Sequence, residues 1–420
     1  MTVVKYLKGS ELVINEHIDP DSMIATKMMK EDQDRTIVFN DFNGKKAVAN
    51  LFSTRKKVAE AIGVDESGIV QRMIEAVDDP CEPVMTDEPE FRYSVSEPDL
   101  MSLPIARYFP EDGGRYITAG VIVSEYKGKK NVSFHRMMIM DKDSIAVRLV
   151  PRHLYKMYNE AKSEGIELKV SICIGARPEV LLAAATSTAY ETDELTIASS
   201  LCMKGSGSPL SVGRTDNGLI VPSECDYVFE GRITFEETSE GPFVDITGTY
   251  DYVRQQPVIK IEKVWTSKDP YFHLLLPGGN EHYLFMGLPR EPMMYVSVRD
   301  KVPGVRSVRL TEGGCCWLNG VVSIKKVNPD DGVKAALAAL DGHKSMKNVI
   351  VVDDDVNIFD DKEVEWAVAT RFQATRIITL PGEKGSSLDP SATDSITCKV
   401  AIDATIPSDR DTKDFQRAVL

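Results

Sequence analysis

Between residues 117 and 252 the chain runs in short β-branched and apolar stretches, at 117–124, 144–150, 168–174 and 243–252, broken by Gly and polar turns. That pattern predicts strands. Two helical stretches interrupt them. One spans 151–165; the other opens near Pro178, where Ala at most inward positions suits close packing against a sheet. Upstream, 37–42 reads as a strand and 54–62 as a helix opening at a Ser-Thr cap. Five prolines between 78 and 104 (Pro80, Pro83, Pro89, Pro98, Pro104), set among acids, cannot sustain a helix and mark a connector. Towards the C-terminus, an unbroken apolar strand at 349–352, a helix over 362–370 and a strand at 376–380 give a βαβ order, hence a parallel sheet. The tail 409–420 reads as a charged helix able to dock on a neighbouring copy.

The expected class is therefore α/β, in the sense of a multidomain α+β chain. It has an N-terminal α/β domain (1–105), a central β-rich domain whose short strands suit a split barrel (106–304), and a C-terminal α/β domain ending in the charged helix (305–420). A length of 420 residues fits two or three domains, and 42% hydrophobic with 27% charged residues is ordinary for a globular chain. The net charge of −14 argues against a general nucleic-acid binder. Seven scattered cysteines with no CxxC spacing argue against a disulfide framework or zinc ribbon and point to a reducing cytoplasm. No signal peptide or membrane span is expected.

Four polar segments carry candidate chemistry. Asn131-Val-Ser-Phe-His-Arg136, if extended, puts Asn131, Ser133 and His135 on one face and Arg136 on the other unless a bulge turns it. His153 follows Pro151-Arg152 at a helix start, and Glu194 precedes apolar residues at helical spacing. Amide, imidazole and carboxylate together could make an oxygen-rich site for Mg²⁺ or Mn²⁺. Glu240-Gly-Pro-Phe-Val-Asp245 sets two acids around a Gly-Pro turn; acids paired near an arginine suit proton transfer. Taken singly, each also reads as ordinary surface: an edge strand, a lone histidine, a helix N-terminal charge, a hairpin loop.

In order and spacing, these segments resemble the UbiD family of prenylated-FMN-dependent decarboxylases over about 97–405. Asn131 to Arg136 is similar to its Asn-x-Ser-x-x-Arg motif, Arg152-His153 and Glu194 to its metal-binding positions, and Glu240 to Asp245 to its acid pair. Ala198-Ser199 and Ala185-Thr-Ser-Thr188 depart from the usual pattern. The resemblance implies a central split-barrel domain binding prenylated FMN, whose azomethine ylide acts on an α,β-unsaturated or aromatic acid. Asn131, His153 and Glu194 would hold Mn²⁺ or Mg²⁺ at the flavin phosphate, with K⁺ as a further cation. Arg136 would pair with Glu240 and the substrate carboxylate, Glu240 would deliver the proton, and Asp245 would tune the network. Ser133, Arg136, Arg152, Thr186, Ser187 and Glu194 are expected around the cofactor, and Arg177 and Lys204 as phosphate contacts. A flavin prenyltransferase would supply the cofactor, and a homo-oligomer is expected. The leading substrate is trans-anhydromevalonate 5-phosphate, giving isopentenyl phosphate; the rival is 4-hydroxy-3-polyprenylbenzoate or another aromatic acid. From other classes stand a plain FMN-binding or flavin-reductase-like module, which would need no Arg136, Glu240 and Asp245 set, and a scaffold with a decayed site.

Overall fold

The computed structural model describes residues 3–418, in two compact units, Met1–Phe285 and Met286–Leu420. In the first, a four-stranded sheet orders Leu12–Ile14, Ile37–Phe42, Lys45–Ala49 and Phe272–Leu274. The helix Arg55–Ala61 opens as expected at Thr54, whose hydroxyl accepts the Lys57 amide. The proline-rich stretch contains no α-helix. Its short strands Val84–Met85 and Ser94–Ser96 instead pair with Ser211–Arg214 and Arg254–Thr266.

Nine strands form the main sheet. Its path runs Tyr116–Ile117, Met137–Ile139, Ser144–Val147, Arg254–Thr266, Tyr227–Glu240, Leu168–Ile174, Val121–Tyr126, Lys129–Phe134, with Ser94–Ser96 beside Arg254–Thr266. The path does not close into a ring, yet its two ends are drawn together. Phe134 ends the last strand and Met137 begins the second, and three residues span at most about 11 Å. The sheet is therefore curled, with a seam at His135 and Arg136. Inside the curl lies an apolar core including Tyr116, Ile122, Met137, Ile172, Phe229 and Ile259.

Local chemistry explains where elements depart from the expected spans. The 117–124 stretch divides around Gly120, whose added Cβ would stand 2.6 Å from the Met137 methyl. The 243–252 stretch is a hairpin, Phe243–Val244 against Tyr250–Asp251, because 245–249 turns through Gly248 at φ +74°. Helices occur at His153–Ser163, Pro178–Ala185 and Glu194–Ser206.

The second unit carries a five-stranded sheet in the order Val305–Leu310, Asn319–Ile324, Asn348–Asp353, Ile396–Asp403, Ile377–Lys384. The central three strands are parallel; both edges are antiparallel. The strand expected at 376–380 is one of those edges, and the parallel neighbour of Asn348–Asp353 is Ile396–Asp403. Largely exposed side chains along Ile377–Lys384 fit an edge position. The tail forms a single 3-10 turn at Thr412–Phe415, where a charged helix was expected; residues 419 and 420 lie outside the described residues.

Candidate active site

The 14-residue strand Tyr227–Glu240 ends in a buried carboxylate, and the hairpin that follows folds two more acids back beside it. Arg136 leaves the seam between two strands and meets all three. Its Nε and one terminal nitrogen donate to the two Glu240 oxygens, each at 2.9 Å, in a bidentate pair. The other terminal nitrogen reaches Asp245 at 3.2 Å, and Asp251 stands 3.1 Å away. The Arg136 and Glu240 side chains are 9% and 0% exposed. Tyr116 donates its hydroxyl to Glu240 Oε1 at 3.1 Å, and the guanidinium lies 5.0 Å from the Phe243 ring centre. Burial disfavours charge on Arg136, but Glu240, Asp245 and Asp251 outweigh it and hold the guanidinium firmly protonated. Burial likewise penalises charge at Asp251, yet its hydrogen bond from Arg254 and the nearby Arg136 keep it below the usual carboxylate range.

At the other end of the same segment, Asn131 and Ser133 lie on one face of Lys129–Phe134, as alternation requires. Asn131 is four residues before His135 and five before Arg136, so the two groups lie roughly 17 Å apart along extended chain. Glu194 enters from the N-terminus of its helix and is 3% exposed. It accepts the Val132 amide at 2.9 Å and the Thr188 hydroxyl at 3.3 Å. One end of the Asn131 amide is 3.4 Å from it, and His153 Nδ1 is 3.8 Å away. Burial pushes the Glu194 carboxyl up to about 7. His153 is shifted down by burial and by Arg152 and Lys156, which favours the neutral imidazole.

A short chain of contacts fixes Asn131 beside Glu194. His135 is buried, which lowers its pKa to about 4 and favours the neutral ring. Its Nδ1 stands 3.0 Å from the Arg148 carbonyl and its Nε2 2.9 Å from the Ser133 hydroxyl. The Ser133 hydroxyl donates to Asn131 Oδ1 at 2.8 Å, and the Asn131 Nδ2 faces Glu194 Oε1 at 3.4 Å. An amide, a carboxylate and an imidazole converge here, residue types suited to a hard divalent cation. Among the described residues no group of three His, Cys, Asp or Glu is gathered as a metal site.

Other expected positions lie outside these two groups. Arg152 is exposed at the start of the His153–Ser163 helix, and the Thr186 hydroxyl is turned back to the Leu182 carbonyl. Ser187 is exposed on the loop that leads to Glu194. Arg177 pairs with Glu179 and Glu224, and Lys204 with Asp79, so each cation already has a carboxylate partner. Tyr116 and Asp251 join the acid cluster from outside the four polar segments. The signal for Asp251 was present in Thr247-Gly-Thr249, a turn that returns it beside Phe243.

Comparison with known proteins agrees over the whole chain. Residues 8–77, 83–280 and 283–404 match, in turn, the N-terminal, Rift-related and C-terminal domains of the 3-octaprenyl-4-hydroxybenzoate carboxy-lyase (UbiD) family. The anhydromevalonate phosphate decarboxylase of Methanocaldococcus jannaschii is 43% identical over 402 residues, 94% of each chain. That of Methanothermobacter thermautotrophicus is 40% identical over 95% of each. Among solved structures, the UbiD-class enzyme HmfF from Pelotomaculum thermopropionicum, in complex with FMN, superposes with a TM-score of 0.95 at 32% identity, covering 100% of this chain and 97% of that one. An evolved dimeric form of HmfF in complex with prenylated FMN gives 0.91 at 30% identity, with 100% and 97% covered.

Proposed function

The chain belongs to the UbiD family of decarboxylases, and from that premise we propose that it converts trans-anhydromevalonate 5-phosphate to isopentenyl phosphate and CO₂ with prenylated FMN. The archaeal relatives' shared name supports the substrate, and HmfF supports the flavin. The observation that carries the chemistry is the buried Arg136–Glu240 pair, with Asp245 and Asp251 on the same guanidinium.

When bound, the flavin supplies the electron sink for the pair left behind as CO₂ departs. This chain's residues do the rest. Asn131, His153 and Glu194 would hold Mn²⁺ or Mg²⁺ against the flavin phosphate, with Ser133 and His135 fixing the amide. Arg136 binds and orients the substrate carboxylate. An arriving carboxylate competes with Glu240 for the guanidinium, and a proton taken from solvent replaces that contact on Glu240. Glu240 Oε1, still held by Tyr116, then carries the proton to the carbon that has lost CO₂. Asp245 and Asp251 keep Arg136 in place while that exchange occurs. Supply of the cofactor by a flavin prenyltransferase, and assembly as a homo-oligomer, belong to the same reading.

Co-expression with a flavin prenyltransferase should yield protein carrying the prenylated FMN mass and releasing CO₂ from the phosphorylated acid much faster than from an aromatic acid. Absence of any flavin mass, or faster turnover of the aromatic acid, would overturn the reading.

A further inference from the structure

The hairpin that brings Asp245 and Asp251 to Arg136 is short, its own strands pairing only Phe243–Val244 with Tyr250–Asp251. A loop from far upstream, 108–115, grips it from outside. The Gly113 amide donates to the Pro242 carbonyl at 2.8 Å, and the Glu111 amide donates to the Tyr250 hydroxyl at 3.1 Å. The approach leaves no room for a side chain: a Cβ on Gly113 would stand 2.3 Å from the Gly241 carbonyl oxygen. Directly after the loop, Tyr116 donates to Glu240 and lays its ring against Phe243, with ring centres 4.4 Å apart. Asp112 shapes this loop. Its side chain is buried, and Oδ2 accepts the Tyr108 amide at 3.2 Å and the Phe109 amide at 2.8 Å. Its own amide donates to the Phe109 carbonyl at 3.1 Å, which closes the turn. Burial pushes the Asp112 carboxyl up to about 6, against the Phe109, Val244 and Tyr108 amides, which favour its charge. Val244 belongs to the hairpin itself. A carboxylate kept in so dry a place is costly unless its contacts hold something in shape.

We propose that Asp112 is a positioning residue for proton delivery: by closing the turn 108–112 it sets Glu111, Gly113 and Tyr116 against the acid hairpin, and so aligns Glu240 with Arg136 and with the carbon that has lost CO₂. The inference rests on the proton-donor reading of Glu240 above. Asp112 acts through the loop and does not touch the substrate. Glu240 is the last residue of its strand, so its direction depends on what grips the Gly241-Pro242 turn that follows. A displacement of about 1 Å at a reacting group can lower a rate by about a hundredfold, and a bidentate arginine–carboxylate pair is equally sensitive to angle.

The test uses flavin-loaded wild type, Asp112→Ala, Asp112→Asn and Tyr250→Phe, with turnover per bound flavin, KM, and the ratio of kcat in H₂O to that in D₂O. Asp112→Ala should lower kcat per flavin roughly ten- to hundredfold, change KM far less, and raise the solvent deuterium isotope effect as proton delivery becomes the slow step. Asp112→Asn keeps an oxygen for the Tyr108 and Phe109 amides and should recover most of the rate. Tyr250→Phe loses only the hydroxyl that receives the Glu111 amide, and should move both readings the same way by a smaller factor. Unchanged turnover per flavin in Asp112→Ala, a fall in kcat with an unaltered isotope effect, or an Asn variant as slow as Ala would overturn the role of Asp112. Should Asp112→Ala fail to fold or to hold flavin, Tyr250→Phe decides, and wild-type kcat and isotope effect in that variant would overturn it. Undiminished turnover in Glu240→Gln would instead defeat the proton-donor reading itself.

Discussion

His135 shows how much one side chain can organise. Its ring links the Arg148 carbonyl to Ser133, and through Ser133 sets the Asn131 amide. Because burial lowers its pKa from 6.5 to about 4, its stabilising contribution is complete above pH 6.5 and is lost as pH falls towards 4, where the unfolded chain binds the proton more readily. The shift corresponds to about 3 kcal/mol. A His135→Gln variant should therefore show a shallower fall in melting temperature between pH 6.5 and 4 than wild type; an unchanged slope would argue against a buried neutral ring. At this scale the sequence exposed the residues that sit in motifs, Asn131, Arg136, His153, Glu194, Glu240 and Asp245. It did not expose partners brought in by folding. Tyr116 reaches Glu240 from 124 residues away, and nothing local in Gly114 to Thr118 distinguishes a hydroxyl aimed at an acid from a core tyrosine.

Among the elements, the two longest strands do most to place the site, and they do so through irregularities. Tyr227–Glu240 and Arg254–Thr266 shift register between Glu230 and Gly231 and again between Ile233 and Glu237. These bulges curl the pair and carry Glu240 to the seam. At Gly231 an added Cβ would lie 2.1 Å from the Lys260 carbonyl oxygen, a backbone atom that cannot swing away. Gly231→Ala should destabilise the protein by about 1–3 kcal/mol, seen as a lower urea midpoint, and reduce flavin retention. A variant with wild-type midpoint would show that the bulge has slack. Strand positions were legible wherever alternation or an apolar run was strong, as at Leu168–Ile174. Strand partners were not. Periodicity says nothing about which edge a strand joins: the pattern predicts 376–380 as a strand of a parallel sheet, and the strand found there, Ile377–Lys384, is its antiparallel edge. The run of β-formers predicts one strand from Phe243 to Tyr252, and the turn through Gly248 makes it a hairpin instead.

Across the molecule, an open nine-stranded path curls until residues 134 and 137 bring its ends together, and the candidate chemistry sits on that seam. Asn131 and Glu194 meet at one end of 131–136 and the acid cluster gathers at the other, so one short segment spaces the proposed cofactor-metal site from the proposed proton donor. Order along the chain foreshadowed this division; the curl that makes it three-dimensional needed the structure. The central claim is that Glu240 supplies the proton while the flavin site stands independently of it. Its most direct measurement is CO₂ release by flavin-loaded Glu240→Gln alongside flavin-loaded wild type, with bound flavin quantified in the same samples. Full flavin content with turnover reduced at least about a thousandfold is the expected result; turnover equal to wild type at equal flavin content would contradict it.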